Sequence, residues 1–332
     1  MFIMKHAVYV IFAGLIIVAL SGLHTMSFAE EGTWAEKVDM PTARYGLSTS
    51  VVNGKIYAVG GSTGMVLSIV EEYDPETDTW AEKADMPTAR CRFSTSAVDG
   101  KIYAIGGCGD VVVALAVVQE YDTATDTWTG KADMLMARSW FSASEVNGKI
   151  YAIGGDLGGD FPTVEEYDPK TDTWTKKSVM PTARPKGSTS VVNGKIYAIG
   201  GKSGIFASST VVEYDPATDT WTKKTDMPTA RYELSTSTVN GRIYAIGGWD
   251  GSETLSTVEV YDPVADEWTK RQDMPTKRAG LSTAVVNVKI YAIGGWTTPN
   301  VPLSTVEEYD TGLAVEPEAK LAITWAAIKA QD

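Results

Sequence analysis

Histidine, the side chain best suited to acid–base and metal chemistry near neutral pH, is scarce in this 332-residue chain and unevenly placed. Both histidines, His6 and His24, lie close to the N-terminus. Cleavage after Ala29 would therefore leave a chain without imidazole, which is the usual general base and a common metal ligand. No nucleophile elbow or Cys–His pair stands in the sequence. The residues indicate no catalytic group, no metal site and no cofactor.

The two cysteines, Cys91 and Cys108, are candidates for a disulfide. Each lies eight residues from the Asp99-Gly100 dipeptide, so they face each other if this dipeptide is the turn of a hairpin without a bulge. Alternation outward from a two-residue turn predicts a non-hydrogen-bonded pair, the closer kind. A bulge at Gly106-Gly107 would shift this register. We predict a disulfide, which an oxidising compartment would permit.

The N-terminal segment, residues 1–29, reads as a secretory signal peptide. Lys5 precedes an apolar run from Ala7 to Leu20, which is too short to span a bilayer, and small residues precede the expected cut after Ala29. This predicts a secreted, periplasmic or cell-surface protein without a membrane span in the mature chain; an uncleaved anchor is the alternative. Residues 313–332 are expected to form a tail with a short helix, which either docks on the domain or serves as a tether or export tag.

Residues 30–312 contain six copies of one unit. The unit reads roughly MPTAR, STSVVNGKIYAIGG, a variable stretch and VEEYDPxTDTW, and its di-glycines recur every 46 to 48 residues. Alternating apolar residues, Asn-Gly turns and Asp-Pro turns predict four short strands per unit, named a to d in chain order. Asn287-Val288 departs from the turn pattern, so this turn should be strained or longer.

The ends of the array predict a closed ring. Thr33–Lys37 matches strand d of the other units, whereas the sixth unit stops matching after Asp310 and lacks that strand. Pairing of the two fragments would complete the sixth sheet and remove the open edge. We therefore expect an all-β, six-bladed propeller of four-stranded antiparallel blades, closed by the N-terminal strand.

These motifs resemble kelch repeats. The resemblance rests on the di-glycine after IYAIGG, the spaced Tyr-Asp and Trp of each unit and the MPTAR segment, and it extends from Trp34 to Asp310. It implies four-stranded blades, closure by strand exchange and, for most members, a binding function. A minority of the family are enzymes; its copper oxidases use histidines that the mature chain would lack.

A ligand site is expected on one face, because every length difference between units falls in the link from strand b to strand c. In an up-and-down blade, the b–c and d–a links meet at the same end, around the mouth of the channel. Large or charged residues at variable positions of these links suit sugar stacking or anchoring of a partner. The candidates are Arg92, Trp140, Lys186, Tyr232, Glu233, Trp249, Asp250 and Trp296.

Residues that occur in every unit are instead expected to be structural. An arginine ends each MPTAR segment and should pair with a carboxylate or carbonyl group between blades; these are Arg44, Arg90, Arg138, Arg184, Arg231 and Arg278. The tryptophan of strand d should act as a wedge in the core; the six are Trp34, Trp80, Trp128, Trp174, Trp221 and Trp268. Glu145, on strand a, should reach solvent or line the channel.

Three functions remain open. The leading hypothesis is a monomeric binding module for a protein or glycan. The formal charge of -13 disfavours nucleic acid and leaves neutral, cationic or locally bound partners. The second is a sugar-ring isomerase, because secreted kelch propellers that interconvert sialic acid anomers resemble this chain, and Glu233 and Arg92 would supply the carboxylate and the cation. The third is a scaffold in an envelope assembly.

Overall fold

The computed structural model describes residues 32–110, 113–156, 159–298 and 300–313. Within them, six four-stranded antiparallel sheets form a ring, a six-bladed β-propeller. The expected signal peptide lies outside the described residues, as does all of the expected tail except Leu313. The described residues contain no helix that is long and apolar enough to cross a membrane.

The blades follow one another along the chain, and strands a to d of each blade run outward from the channel. Blade 1 comprises β2 (Ser48–Val52), β3 (Lys55–Val59), β4 (Val70–Asp74) and β5 (Thr79–Lys83). Blade 2 comprises β6 (Ser94–Val98), β7 (Lys101–Ile105), β8 (Val118–Asp122) and β9 (Thr127–Lys131). Blade 3 comprises β10 (Ser142–Val146), β11 (Lys149–Ile153), β12 (Val164–Asp168) and β13 (Thr173–Lys177).

The remaining blades keep this pattern. Blade 4 comprises β14 (Ser188–Val192), β15 (Lys195–Ile199), β18 (Val211–Asp215) and β19 (Thr220–Lys224), with a small hairpin, β16 (Lys202–Ser203) and β17 (Phe206–Ala207), in its b–c link. Blade 5 comprises β20 (Ser235–Val239), β21 (Arg242–Ile246), β22 (Val258–Asp262) and β23 (Glu267–Lys270). Blade 6 comprises β24 (Ser282–Val286), β25 (Lys289–Ile293) and β28 (Val306–Asp310), with a link hairpin of β26 (Trp296–Thr297) and β27 (Val301–Pro302).

The ring closes as the sequence predicts. The N-terminal strand β1 (Thr33–Glu36) pairs antiparallel with β28 and becomes the outermost strand of blade 6. Trp34 lies opposite Tyr309, and their rings are 4.9 Å apart. The first and last segments of the array therefore share one sheet, and no blade edge is left open at this seam.

The core is divided among the blade interfaces. Six apolar clusters each combine residues of two neighbouring blades, such as Ile56 and Tyr73 of blade 1 with Tyr291 and Ile293 of blade 6. Both faces of every sheet are therefore covered, which explains why strand b is apolar on both sides.

The di-glycine is a close joint between blades. Gly60 has a φ of 55°, and a β-carbon there would lie 2.6 Å from the carbonyl oxygen of Arg90 in the next link. The N–H of Gly61 donates to that same carbonyl at 2.9 Å. Only glycine fits this position, because it combines left-handed backbone with close backbone approach.

A belt of hydroxyl groups around the channel explains the Ser-Thr-Ser motif of strand a. The hydroxyl oxygen of Ser188 accepts the backbone N–H of Thr236 in the next blade at 3.1 Å, and the two side-chain oxygens are 2.9 Å apart. The contact to a backbone N–H recurs at all six junctions, with Ala143 replacing threonine at one. The belt was not anticipated from the sequence.

The turn at Asn287-Val288 is strained rather than longer. β24 and β25 keep the two-residue hairpin, and Val286 pairs with Lys289. Asn287 and Val288 have φ values of 51° and 59°. A β-branched residue in the left-handed region is sterically costly, which is why the other units use glycine.

Candidate functional site

Six residues, one per blade, form a closed ring of backbone hydrogen bonds at the mouth of the channel. Each follows the MPTAR arginine by two positions, and its N–H donates to the carbonyl group of its counterpart in the preceding blade at 2.8 or 2.9 Å. All six have φ between 53° and 63°. The ring consists of Gly46, Arg92, Trp140, Lys186, Glu233 and Gly280.

This ring brings four of the predicted site residues together. The guanidinium of Arg92 lies 4.6 Å from the ring centre of Trp140, and the ammonium group of Lys186 lies 4.0 Å from the same centre. Lys186 also pairs with Glu233 at 2.7 Å. The four side chains thus follow one another around the mouth in the order cation, aromatic ring, cation and carboxylate. Cation–π and charge–charge attraction hold them together.

The b–c links of blades 5 and 6 extend this arrangement. The indole nitrogen of Trp296 donates to Glu233 at 3.0 Å, so both carboxylate oxygens of Glu233 have partners. Trp249 packs on Trp296 with ring centres 5.2 Å apart, and Tyr232 lies opposite Trp249 in an antiparallel bridge. Seven of the eight predicted site residues therefore form one connected surface.

The eighth predicted residue, Asp250, serves its own link. Its carboxylate accepts the backbone N–H groups of Ser252 and Glu253 at 2.7 and 2.8 Å. Its carboxylate is thus engaged in shaping the link after Trp249.

A cavity of about 280 Å³ lies within the mouth. Its lining residues are Tyr45, Arg92, Trp140, Lys186, Glu233, Trp296 and Asn300. Tyr45 and Asn300 were not singled out from the sequence, although both lie in links that vary between units. Arg92 forms no ion pair with any described residue, and its Nε atom is buried without a hydrogen-bond partner. The mouth therefore holds an uncompensated positive charge beside aromatic rings.

The comparisons with known proteins agree with this architecture. The model of the KLHDC2/KLHL20/DRC7 Kelch-repeats domain matches residues 121–295, and the Kelch motif matches residues 43–87 and 89–135. The chain belongs to the kelch-repeat family. A comparison with curated proteins finds no match.

One solved structure that resembles this kelch propeller is described as the structure of YjhT. It superposes with a TM-score of 0.73, covering 81% of this chain and 95% of that chain, at 17% sequence identity. This likeness concerns the fold. The kelch-repeat propeller fold supports, in general terms, a role as a binding module or a scaffold.

The repeated arginines of the kelch propeller lie inside the blades and away from the mouth cavity. Arg231 is fully buried; it donates to the carbonyl groups of Gly247 and Thr257 and pairs with Glu259 at 3.0 Å. Burial lowers its pKa to about 10, although the carboxylate of Glu259 acts in the opposite direction. These side-chain partners lie within its own blade, and not between blades as we expected. Its backbone reaches the preceding blade, because its N–H donates to Ser208 and its carbonyl oxygen accepts the N–H of Gly201.

The strand-d tryptophans join outer strands and are only partly buried, with the exception of the more buried Trp174. Trp128 illustrates the pattern: its indole nitrogen donates to the carbonyl of Ala84 in the preceding blade at 2.9 Å, and its ring packs 4.9 Å from Tyr121. Asp126, in the turn between strands c and d, also bridges blades, because it accepts the N–H of Ala84 and the hydroxyl of Tyr121.

Cys91 and Cys108 lie opposite each other, as predicted, but in a hydrogen-bonded pair. Each N–H donates to the other's carbonyl, at 3.0 and 2.9 Å. The expected alternation fails because Gly106 and Gly107 adopt positive φ and direct their N–H groups to Val117 and Arg138. Both thiols are free, with sulfur atoms 3.1 Å apart. The disulfide remains a prediction.

Glu145 lines the opposite end of the channel. It borders a cavity of about 320 Å³ formed by strand-a residues, and its carboxylate accepts the N–H of Gly148 at 2.6 Å. Among the described lining residues of that cavity it is the only charged one. Glu145 therefore lines the channel, one of the two placements that the sequence allowed, and it also caps the turn at Gly148.

Proposed function

We propose that this kelch propeller is a secreted binding module whose b–c and d–a link face captures a protein segment that presents a carboxylate group. A glycan ligand, which the sequence left equally open, is the alternative outcome. The observation that carries the proposal is the combination of an unpaired Arg92 inside the mouth with exposed apolar side chains on the surrounding links.

The apolar side chains concentrate on the proposed binding face. Of the nine large apolar residues that are exposed among those described, five lie in b–c links. They are Met65, Val113, Ile205, Phe206 and Val301. Ile205 and Phe206, at the tip of the β16–β17 hairpin, are 77% and 70% exposed. Exposed apolar groups on the links that surround the mouth suit contacts with protein side chains.

Arg92 provides the polar part of the site. Arg92 has a buried Nε atom without a hydrogen-bond partner and no carboxylate partner among the described residues. It therefore favours an incoming anionic group, and its guanidinium can bind a carboxylate through two hydrogen bonds. The chain as a whole carries a net charge of -13, so this attraction operates only within the local mouth. The site therefore suits one carboxylate within an otherwise neutral or basic segment.

The aromatic rings are less suited to sugar stacking than the sequence suggested. Two cations lie over the ring of Trp140, and the rings of Trp249 and Trp296 pack against each other. Each of these contacts covers ring surface that a sugar would need. This favours a protein ligand over a glycan.

A sugar-ring isomerase is the second candidate, because Arg92 and Glu233 line the same cavity. However, Glu233 accepts hydrogen bonds from Lys186 and Trp296 on its two oxygens. Proton transfer to a substrate would require breaking one of these contacts. Equilibration of sialic acid anomers, followed by NMR with purified protein, tests this candidate; a rate equal to that in buffer eliminates it.

A random-sequence peptide display library is the direct test of the proposed function. We expect selected peptides to share an acidic side chain or a free terminal carboxylate next to apolar residues. Arg92→Gln should weaken their binding at least about tenfold, the loss of one charged hydrogen-bonded contact. Arg242→Gln is the matched control, because Arg242 lies on strand b and pairs with Asp262 at 3.3 Å. Equal weakening by both variants would contradict the proposal.

Two further measurements separate the alternatives. If a glycan array yields specific ligands and the peptide library yields none, the ligand is a glycan and not a protein segment. The double variant Trp249→Ala, Trp296→Ala should abolish binding of the selected ligand with a change in melting temperature of only a few degrees. Unchanged affinity would show that the contact surface lies elsewhere. Secretion is tested by mass spectrometry of the exported chain, which should begin at Glu30.

A further inference from the structure

Blade 4 departs from the repeat at two buried positions around Arg184. Strand c of the other blades carries Glu or Gln where blade 4 has Val212; the counterparts are Glu71, Gln119, Glu165, Glu259 and Glu307. The position three residues after the arginine is Leu or Phe in the other blades, whereas blade 4 has Gly187; the counterparts are Leu47, Phe93, Phe141, Leu234 and Leu281. The first exchange removes the polar partner of the arginine, and the second removes side-chain volume beside it.

The guanidinium of Arg184 consequently lacks a carboxylate. Its Nη1 atom donates to the carbonyl groups of Gly200 and Thr210 at 2.9 and 2.6 Å, as in the other blades. Its Nη2 atom has only the sulfur of Met180, at 3.6 Å, whereas Nη2 of Arg138 meets Glu165. Arg184 is 5% exposed.

Arg184 forms no ion pair with any residue that the structure describes. Burial lowers its pKa to about 10, and the carboxylate that acts against this shift is that of Asp226. Asp226 is itself paired with Lys223 at the surface of the protein, at 3.3 Å. A buried charge without a close counter-ion is strongly destabilising, so a compensating anion at this place would stabilise the fold.

A small cavity adjoins the guanidinium. Its volume is about 10 Å³, and Arg184, Gly187, Phe141 and the hydroxyl-bearing Ser142 and Ser188 are among its lining residues. A cavity of this size holds one particle about as large as a water molecule. Trp140, Phe141 and Gly187 also line a separate cavity of about 90 Å³ in the channel, which borders Arg92 and Lys186 as well, so the small cavity adjoins the channel. A halide ion is a single atom that is only somewhat larger than a water molecule, whereas carboxylate and phosphate groups have three or more heavy atoms.

We propose that a single halide ion, chloride under ordinary conditions, occupies this cavity and replaces the carboxylate that Val212 removes from blade 4. The ion accepts hydrogen bonds from the guanidinium Nη2 of Arg184. The site is independent of ligand capture at the mouth and contributes to the stability of blade 4.

Thermal unfolding of the full chain tests the proposal. At a constant ionic strength of about 0.15 M, sodium chloride should raise the melting temperature by about 2 °C relative to sodium gluconate, whose anion is too large to enter. Val212→Glu should remove this chloride dependence, because it restores the carboxylate. Val260→Glu is the matched control: it makes the same exchange at an equally buried position of strand c in blade 5, and it should retain the dependence.

A crystal grown with bromide provides a second measurement that does not depend on the folding of a variant. An anomalous peak beside Nη2 of Arg184 is expected. A melting temperature that is equal in the two salts, together with no bromide peak at this position, would overturn the proposal and indicate that water fills the cavity. Chloride dependence of Val212→Glu equal to that of the wild type would overturn it as well, because the ion would then act elsewhere.

Discussion

The indole nitrogen of Trp34 donates a hydrogen bond to the carbonyl oxygen of Gln272, 238 residues further along the chain, at 3.2 Å. This bond joins the N-terminal strand to the outer strand of blade 5 and repeats the contact that every other strand-d tryptophan makes with the preceding blade. Closure of the ring thus uses the same chemistry as its internal joints. At this seam the indole hydrogen bond and the contact of the Trp34 ring with Tyr309 add to the backbone pairing of β1 with β28 and to further backbone hydrogen bonds, such as that from the N–H of Met40 to Ser304 at 2.8 Å.

Substitution of Trp34 should therefore destabilise the entire domain. Trp34→Ala removes the indole hydrogen bond and the packing on Tyr309, and we expect a loss of about 3 kcal/mol in the free energy of unfolding, at the low end for tryptophan because the ring is partly exposed. Trp34→Phe keeps an aromatic ring and should lose only about 1 kcal/mol. Urea denaturation measures both. A Trp34→Ala protein as stable as the wild type would show that the Trp34 side chain contributes little to closure.

The six-bladed ring and the residues at its mouth could be predicted from the sequence, because six copies of one unit show which residues match the repeat and which differ from it. Trp34 was assigned to the last blade because its surroundings match those of Trp80, and Arg92, Trp140 and Lys186 stood out because equivalent positions differ. The contact of Arg92 with Trp140 could not be predicted, because it depends on how the side chains of two neighbouring blades are oriented at the mouth. The sequence predicted a non-hydrogen-bonded pair at Cys91 and Cys108, and the structure has a hydrogen-bonded one. The prediction relied on regular alternation along the two strands, which the left-handed Gly106 and Gly107 interrupt.

Val288 offers a test of backbone strain. Val288→Gly should stabilise the protein by about 1 kcal/mol, because relief of a β-branched left-handed residue exceeds the added flexibility of glycine in the unfolded chain. The reverse exchange at the equivalent turn, Gly241→Val, should destabilise by about 1 to 2 kcal/mol. A β-carbon at Gly241 meets no atom within 4 Å, so this loss reports the backbone alone. If the wild type and Val288→Gly are equally stable, the left-handed backbone at Val288 does not cost stability and this prediction is wrong.

The aspartates that bridge the outer strands should make the domain sensitive to acid. A hydrogen bond from the Tyr121 hydroxyl, assisted by the N–H of Ala84, lowers the pKa of Asp126 below its ordinary value, and the same holds for Asp172 and Asp266 with their own tyrosines. A lowered pKa in the folded state means that the stabilisation is complete above the ordinary pKa, near about 4. It is lost as the pH falls below that value.

Chemical denaturation between about pH 3 and 7 checks this expectation. The free energy of unfolding should fall steeply below about pH 4. Asp126→Asn should cost about 1 kcal/mol at neutral pH, a modest value because the side chain is exposed, and it should make the acid dependence shallower. Asp110→Asn, in a b–c link, should leave the slope unchanged. Parallel curves for wild type and Asp126→Asn would refute the bridging role.

The thiol pair is expected to oxidise once the protein is exported to an oxidising compartment, as proposed above. Cys91 and Cys108 are directly opposed, and the hydrogen bond from Cys91 and the charge of Arg92 lower the pKa of Cys108 to about 7, which favours the reactive thiolate. A bond between residues 17 positions apart should stabilise the domain by about 3 kcal/mol. Reductant should therefore lower the melting temperature of the wild type and leave that of Cys108→Ser unchanged. Two titratable thiols in the unfolded chain, purified without reductant, would show that the sulfur atoms remain unbonded.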